Sequence, residues 1–421
     1  MSDHRLETGT KHHYLGAMIS MADIDGIEDW LIGQALGTPD MAAMFGEMCE
    51  RLRQCNVPVD RAMLAWSTLH PLIEAEIAFW ESGNAVQHET IEHSAEETED
   101  WLKSPVRAVL ISGEPMLRRR LTNANAPTEF PLLERLAETG YTDYLVMPTA
   151  FDIPSIPSEF TKTGLVVSWA TREAAGFSDD ALTAINYIQK RLALAARATL
   201  EGQISRTIAE TYLGKIAGGR VLSGQIRHGD GETIDAVVFF SDMRNSTAIA
   251  EYLGPDDYLT FLNTYFEATA GAILDRGGEV LDFIGDAVLG VFPIGPSGLN
   301  DAIQAAIETA DESRRRLEAL NADPALAHPL KAGIALSVGS VMFGNIGVPH
   351  RLTFSVIGQT VHAAARIESL TKTVGTDVLM TEDIARLAGQ RSRPVGAFEL
   401  SGFNAPQPLF ALEATDPSGR S

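Results

Sequence analysis

Two stretches decide how this chain folds: Ile234-Asp-Ala-Val-Val-Phe-Phe-Ser-Asp242-Met-Arg-Asn-Ser-Thr247 and Glu279-Val-Leu-Asp-Phe-Ile-Gly-Asp286-Ala-Val-Leu-Gly-Val-Phe292. The first is a mostly apolar strand that ends on a carboxylate and passes at once into a helical pattern. Such a junction joins two useful things. The free N–H groups of a helix start at Asn245, Ser246 and Thr247 suit phosphate oxygens, and Asp242 can hold the divalent cation that accompanies them. The second stretch reads as a hairpin turning at Gly285-Asp286. Strict alternation along its first arm puts Val280, Asp282 and Ile284 on one face, with Leu281 and Phe283 on the other. A helix expected over 258–274, closed by Arg276-Gly-Gly278, joins the two stretches. Asp286 is then expected beside Asp242 on a neighbouring strand. An aspartate in a Gly-Asp turn is ordinarily a turn former. Two carboxylates converging from adjacent strands are what a paired-magnesium site requires. One ion lowers the pKa of an attacking hydroxyl and the other neutralises phosphate charge.

Outward from these stretches, composition sets the bounds. The 421 residues suggest two or three domains, and 45% hydrophobic with 21% charged residues is globular composition. With 33 Lys and Arg against 56 Asp and Glu, the formal charge is 33 − 56 = −23. That surface argues against nucleic acid or an anionic membrane as partner, while leaving room for a small anion in a locally positive pocket. The only cysteines, Cys49 and Cys55, lie on different faces of a helical pattern, so neither a local disulfide nor a metal clip is expected. With no secretory leader legible, this predicts a soluble protein of a reducing cytoplasm. No apolar run approaches the about 20 residues needed to span a bilayer.

The first half reads as a separate α/β domain. Residues 1–25 form a polar tail with His4, His12 and His13, a solvated segment rather than a metal site. Helical spacing follows through Trp30, Leu31, Ala35 and Leu36, then Met41, Met44, Phe45, Met48 and Leu52. Strands are expected at 60–66, 106–111, 143–147 and 164–169, an exposed loop or helix over 89–100, and a helix around 131–136. A loop with Pro154 and Pro157 joins the last strand pair. The order of elements over 26–177 resembles a GAF-type sensor domain. Ser178 caps a long helix whose seam of Leu182, Ile185, Ile188, Leu192 and Ala195 fits equally a dimerising connector over 178–215 or a helix packed on the sensor sheet.

In the second half several linked blocks resemble one family. Phe240-Ser-Asp-Met-Arg-Asn-Ser-Thr247 resembles the metal-binding strand of class III adenylyl and guanylyl cyclases, and Gly277-Gly-Glu-Val-Leu-Asp-Phe-Ile-Gly-Asp286 their second metal motif. Gly333 to Gly339, Gly344-Asn-Ile-Gly347 and Phe354 to Glu368 match the later blocks in order and spacing. The resemblance covers 215–412 and implies an α+β architecture: a ferredoxin-like βαββαβ catalytic domain over 216–412, a short tail over 413–421, and a head-to-tail homodimer with active sites between subunits. It further implies two Mg²⁺ or Mn²⁺ ions on Asp242, Asp286 and the main-chain carbonyl of Met243, with Arg366 stabilising phosphate charge during in-line attack. The reaction implied is cyclisation of ATP or GTP to the 3′,5′-cyclic monophosphate and pyrophosphate, regulated by an unknown signal at the N-terminal half.

Three positions depart from the family pattern. Asp282 stands where adenylyl cyclases place Lys and guanylyl cyclases Glu; a carboxylate accepts from guanine N1–H and N2–H₂, whereas adenine N1 needs a donor. Ser355, the second base-reading position, donates or accepts and decides little. His362 replaces an Asn that orients the ribose, and Ser401 replaces a cation that faces the terminal phosphates. A non-catalytic nucleotide-binding switch is the competing reading. A diguanylate cyclase is not expected, since no Gly-Gly-Asp-Glu-Phe-like run occurs.

Overall fold

The computed structural model describes residues 19–94, 96–122, 129–153, 163–225, 227, 229, 231–348, 350–400 and 403–414. The three tail histidines, the Pro154/Pro157 loop and Ser401 lie outside these residues. The chain divides into two compact units at Ile208/Ala209.

In the first unit α1 (Met21–Ala35) and α2 (Met41–Gln54) precede β1 (Arg61–Ser67), β2 (Ile73–Glu81) and β3 (Gln87–Glu92). Then come α3 (Glu99–Leu102), α4 (Pro105–Ser112), β4 (Leu117–Arg120), α5 (Pro131–Glu138), β5 (Asp143–Ala150), β6 (Gly164–Thr171) and the long α6 (Asp179–Leu213). The six strands form one antiparallel sheet in the order β3-β2-β1-β6-β5-β4. One face packs on α1, α2 and α6 around Phe45, Met48, Leu64 and Trp169, the other on α4 and α5 around Val109, Leu133, Tyr144 and Val146. Cys49 and Cys55 are both free thiols.

One expectation for this unit fails and a second fails in part, each for an identifiable reason. The apolar run 106–111 is helix α4, not a strand. Ser104 accepts the Val106 N–H at 3.1 Å, Pro105 takes the first helical position, and Gly113 closes the helix at φ +71°. These punctuating residues outweigh the β-branched content of the run. In the polar stretch over 89–100 only Glu89 to Glu92 depart from the expected loop or helix: they belong to the exposed edge strand β3, whose ladder to β2 needs no buried face, and the stretch ends in α3. In α6, Ser178 caps as expected, accepting from Ala181 N–H at 3.2 Å. Ala181, Ile185, Ile188, Leu192, Ala196 and Leu200 are buried in the first unit's own core. The helical seam therefore serves packing on that sheet.

The buried Asp143 ties three segments of this unit together. Fully shielded from solvent, it takes Arg118 Nη2 at 2.6 Å and Phe177 N–H at 3.0 Å. Gly176, at φ +66°, is the residue that lets the chain pass, because an added Cβ would collide with Arg120 and lie 2.7 Å from the Asp143 carboxylate.

The second unit holds α7 (Lys215–Leu222), β7 (Gly231–Met243), α8 (Ser246–Leu253), α9 (Pro255–Asp275), β8 (Glu279–Ile284), β9 (Ala287–Pro293), α10 (Leu299–Asn321) and β10 (Ala332–Val348). After these come β11 (Arg351–Ile357), α11 (Gln359–Val374), β12 (Val378–Thr381), α12 (Glu382–Ala388), β13 (Ser392–Phe398) and β14 (Gln407–Leu412). The β-α-β-β-α-β succession is present, with α8 and α9 together as the first crossover and β10-β7-β9-β8 as the central strand order. The sheet continues through β12, β14 and β13, and is mixed because β12 runs parallel to β10. Helices α9, α10 and α12 cover one face around Phe239, Tyr265 and Ile303; α11 and α7 lie on the other around Val238, Leu289, Ala364 and Ile367.

Candidate active site

Alternation along β7 fixes where Asp242 points. Val237 and Phe239 face α9 and α10, and Ser241 continues that side with its hydroxyl 2.5 Å from Tyr265 OH. Ala236, Val238 and Phe240 face α11, so Asp242 falls on the α11 side. In the ladder it stands opposite Ala287 of β9 and Gly333 of β10. Asp286 occupies the turn just before Ala287, after Gly285 at φ +66°, a conformation that favours glycine. The turn therefore sets Asp286 beside Asp242, near enough for its charge to act on the Asp242 carboxyl. The structure thus brings these two aspartates together at the ends of β7 and the β8–β9 turn.

The electrostatics of the pair are unfavourable without a cation. Burial first, then the charges of Asp286 and Glu368, push the Asp242 carboxyl from its ordinary 3.8 up to about 7. Arg244 is the opposing charge beside it. Its Nη2 reaches the Thr371 hydroxyl at 2.9 Å and the Thr376 carbonyl at 3.0 Å, which binds the end of β7 to the end of α11. Glu368, 6% exposed, is itself raised by burial and by Asp286, against the pull of Arg244 and Thr371. Gly333 makes room for it, since a Cβ there would collide with Glu368 and Thr371. Tyr258 of α9 is also raised, by burial and by both aspartates.

This donor set fits a hard divalent ion. It consists of oxygens, carries excess negative charge, and now relieves repulsion only by keeping a proton that a cation would replace. Among the described residues no group of three or more acid, His or Cys side chains surrounds one point. Asp242, Asp286 and the Met243 carbonyl would hold such ions, with the remaining positions left to water and phosphate oxygens.

The other expected residues are placed as follows. Met243 buries its side chain in the core at 3% exposure, which leaves only its main chain for ligation. Asn245 holds φ +61° and is the N-cap of α8, with Ser246 and Thr247 in the first turn. His362 and Arg366 lie one helical turn apart on α11, exposed and half-buried respectively. Ser355 is half-buried on β11, opposite Gly344.

The expected alternation along β8 holds from Asp282 to Ile284 and fails for Val280 and Leu281. The register slips between Val280 and Asp282, and this bulge reassigns the faces. Val280 and Phe283 share the α9 side, where Phe283 packs on Phe266 at a 4.4 Å centroid distance. Leu281 packs on the opposite side. Asp282, exposed, stands opposite Leu289 on that same side, the side of Asp242.

Sequence reasoning assigns no role to Arg244 and Glu368, although both lie within the quoted motifs. The available signal for Glu368 is an acid at a core position of the pattern Ala364, Ile367, Glu368, Thr371.

Residues 231–408 match the family model described as the adenylate and guanylate cyclase catalytic domain. Over 165 residues the chain is 32% identical to an adenylate cyclase of Anabaena cylindrica, covering 38% of this chain and 32% of the relative. Over 156 residues it is 31% identical to the terminal-differentiation specific adenylate cyclase of Dictyostelium discoideum, covering 37% of this chain and 7% of that one. The chain thus spans a third or less of the length of these two relatives. Among solved structures, that of the guanylyl cyclase Cya2 aligns at 28% identity with a TM-score of 0.39, covering 45% of this chain and 98% of that one. With the paired aspartates in place, residues 231–408 are a class III adenylate/guanylate cyclase catalytic domain.

Proposed function

We propose that this domain converts a purine nucleoside triphosphate, ATP or GTP, into its 3′,5′-cyclic monophosphate and pyrophosphate. The observation that carries the reading is the Asp242–Asp286 pair, two carboxylates brought side by side with Arg244 as counter-charge to Asp242. Asp242, Asp286 and the Met243 carbonyl would hold two Mg²⁺ or Mn²⁺ ions, which supply acidity to the ribose 3′-hydroxyl and neutralise phosphate charge. The first turn of α8, from Asn245 to Thr247, offers backbone N–H groups to phosphate oxygens. Arg366 faces the charge that builds on the α-phosphate. Asp282 accepts from the base edge, which suits guanine N1–H and N2–H₂, with Ser355 beside it and His362 against the ribose.

Arg366 and His362 act on the metal pair of a second copy in a head-to-tail homodimer. The exposed apolar side chains of Ile284, Met342, Ile346, Val348 and Ile357, on β8, β10 and β11, support that assembly. The first unit serves as a GAF-like regulatory domain; its six-stranded antiparallel sheet with helices on both faces supports this. We place the protein in the cytoplasm as a soluble enzyme, in keeping with the free Cys49 and Cys55 and with no described helix being long and apolar enough to cross a membrane.

The test is to incubate the full-length chain with Mn²⁺ and ATP, GTP, CTP and UTP separately and to identify products by mass. A cyclic purine nucleotide is expected. Nucleotide binding without any cyclic product would replace the reading by a non-catalytic switch.

A further inference from the structure

We propose that Glu279 is a positioning residue, tethering the metal-binding hairpin β8–β9 to the point where the chain leaves the long helix α6. The inference rests on Asp286 as a metal ligand, the reading given above.

Glu279 is the first residue of β8 and only 5% exposed. Its Oε1 accepts the Ile216 N–H at 2.6 Å, and the carboxylate also takes the N–H of Ala217. Both donors belong to the first turn of α7, which has no side-chain cap of its own because Gly214 occupies the N-cap. A carboxylate from a distant strand thus satisfies groups that a local Ser or Asp normally would. The fit is close. Gly214 sits at φ +85°, and a Cβ added there would lie 2.7 Å from the Glu279 Oε1 and 3.2 Å from the Val280 carbonyl.

What the tether holds is an edge. β8 ends the sheet order and, among the described residues, pairs only with β9, and just beyond Glu279 the register slips between Val280 and Asp282. Asp282, Phe283, Ile284 and Gly285 are all exposed, so apart from the Phe283–Phe266 contact little packing fixes the arm that leads to Asp286. Asp242, by contrast, sits on β7, with neighbours on both sides. The relative placement of the two carboxylates therefore depends on how the root of β8 is anchored, and that anchor is the α6–α7 junction. A displacement of this junction reaches Asp282 and Asp286 before any other part of the site.

The experiment uses the full chain with three variants, Glu279→Ala, Glu279→Gln and Gly214→Ala. Two readouts are taken: backbone amide exchange of residues 280–286 in metal-free protein, and Mn²⁺ affinity from the free-ion electron paramagnetic resonance signal. Glu279→Ala is expected to speed exchange of 280–286 and to weaken Mn²⁺ binding about tenfold, as for other residues that support a metal ligand. Glu279→Gln retains an acceptor oxygen and stays near wild type, and Gly214→Ala reproduces the Ala phenotype without adding to it in the double variant. A Glu279→Ala chain that melts lower while exchange of 280–286 and Mn²⁺ affinity match wild type would reduce Glu279 to a local cap and overturn the proposal. If Glu279→Ala does not fold, Gly214→Ala with both readouts unchanged overturns it equally. A wild-type chain that binds no Mn²⁺ would sink the metal reading instead, and amide exchange would still decide the tether.

Discussion

Replacing Asp242 by Asn removes a charge that the fold holds at a cost, so the metal-free protein is expected to become more stable at neutral pH. The Asp242 carboxyl is raised from 3.8 to about 7 by burial and by the neighbouring charges of Asp286 and Glu368. The folded state keeps its proton where the unfolded chain has already lost it. Stability therefore falls as pH climbs from about 4 to about 7, and stays low above that. A shift of about three units corresponds to about 4 kcal/mol, and solvent screening at this half-buried site reduces that to about 2 kcal/mol. The Asp242→Asn variant would recover most of it, raising the melting temperature of a domain this size by about 4–8 °C at pH 8 in a chelator. Thermal melts of both proteins at pH 5 and pH 8, with chelator and with Mn²⁺, make the assay. Wild type should gain from Mn²⁺ at pH 8, while Asp242→Asn should start higher and gain little. If Asp242→Asn melts below wild type at pH 8 in chelator, or gains as much from Mn²⁺, the carboxylate pair is not the strained metal site described here.

Arg366→Ala should lower kcat by about 10²- to 10³-fold, as for loss of one transition-state donor, with nucleotide affinity little changed; single-turnover kinetics and equilibrium binding separate the two. Mixing Arg366→Ala with Asp242→Asn should restore turnover if each site draws on two chains, and no recovery would refute the composite site. Asp282→Lys should move the ratio of cyclic GMP to cyclic AMP towards cyclic AMP, read by mass spectrometry, since an ammonium can donate to adenine N1 and cannot accept from guanine. In the first unit, Asp143→Ala leaves Arg118 and the Phe177 N–H without their carboxylate. A loss of about 3 kcal/mol is expected in denaturant unfolding of that unit.

The site is more legible in the sequence than the half of the chain that precedes it. Asp242 and Asp286 can be brought together from sequence because an apolar strand ending in Asp and a Gly-Asp hairpin allow that placement and the family resemblance implies it; the ladder sets Asp242 opposite Ala287, next to Asp286. The faces of β8 are misread because a bulge has no composition of its own: Leu281 looks like any alternating residue until the register with β9 is known. Segment 106–111 is misread because its side chains suit a strand while Ser104, Pro105 and Gly113, just outside it, set a helix. Glu279, Arg244 and Glu368 are hidden for another reason. Each works through a partner distant in sequence, Glu279 with Ile216, Arg244 with Thr371 and Glu368 with Asp242, and no local pattern records such pairs.

The most direct measurement follows product from each purine triphosphate with Mn²⁺ in wild type, Asp242→Asn and Asp286→Asn chains, with nucleotide binding measured in parallel. The account predicts cyclic nucleotide and pyrophosphate in equal amounts from wild type, and neither from the two variants. Undiminished cyclic product from either variant, or none from wild type despite bound nucleotide, would contradict it.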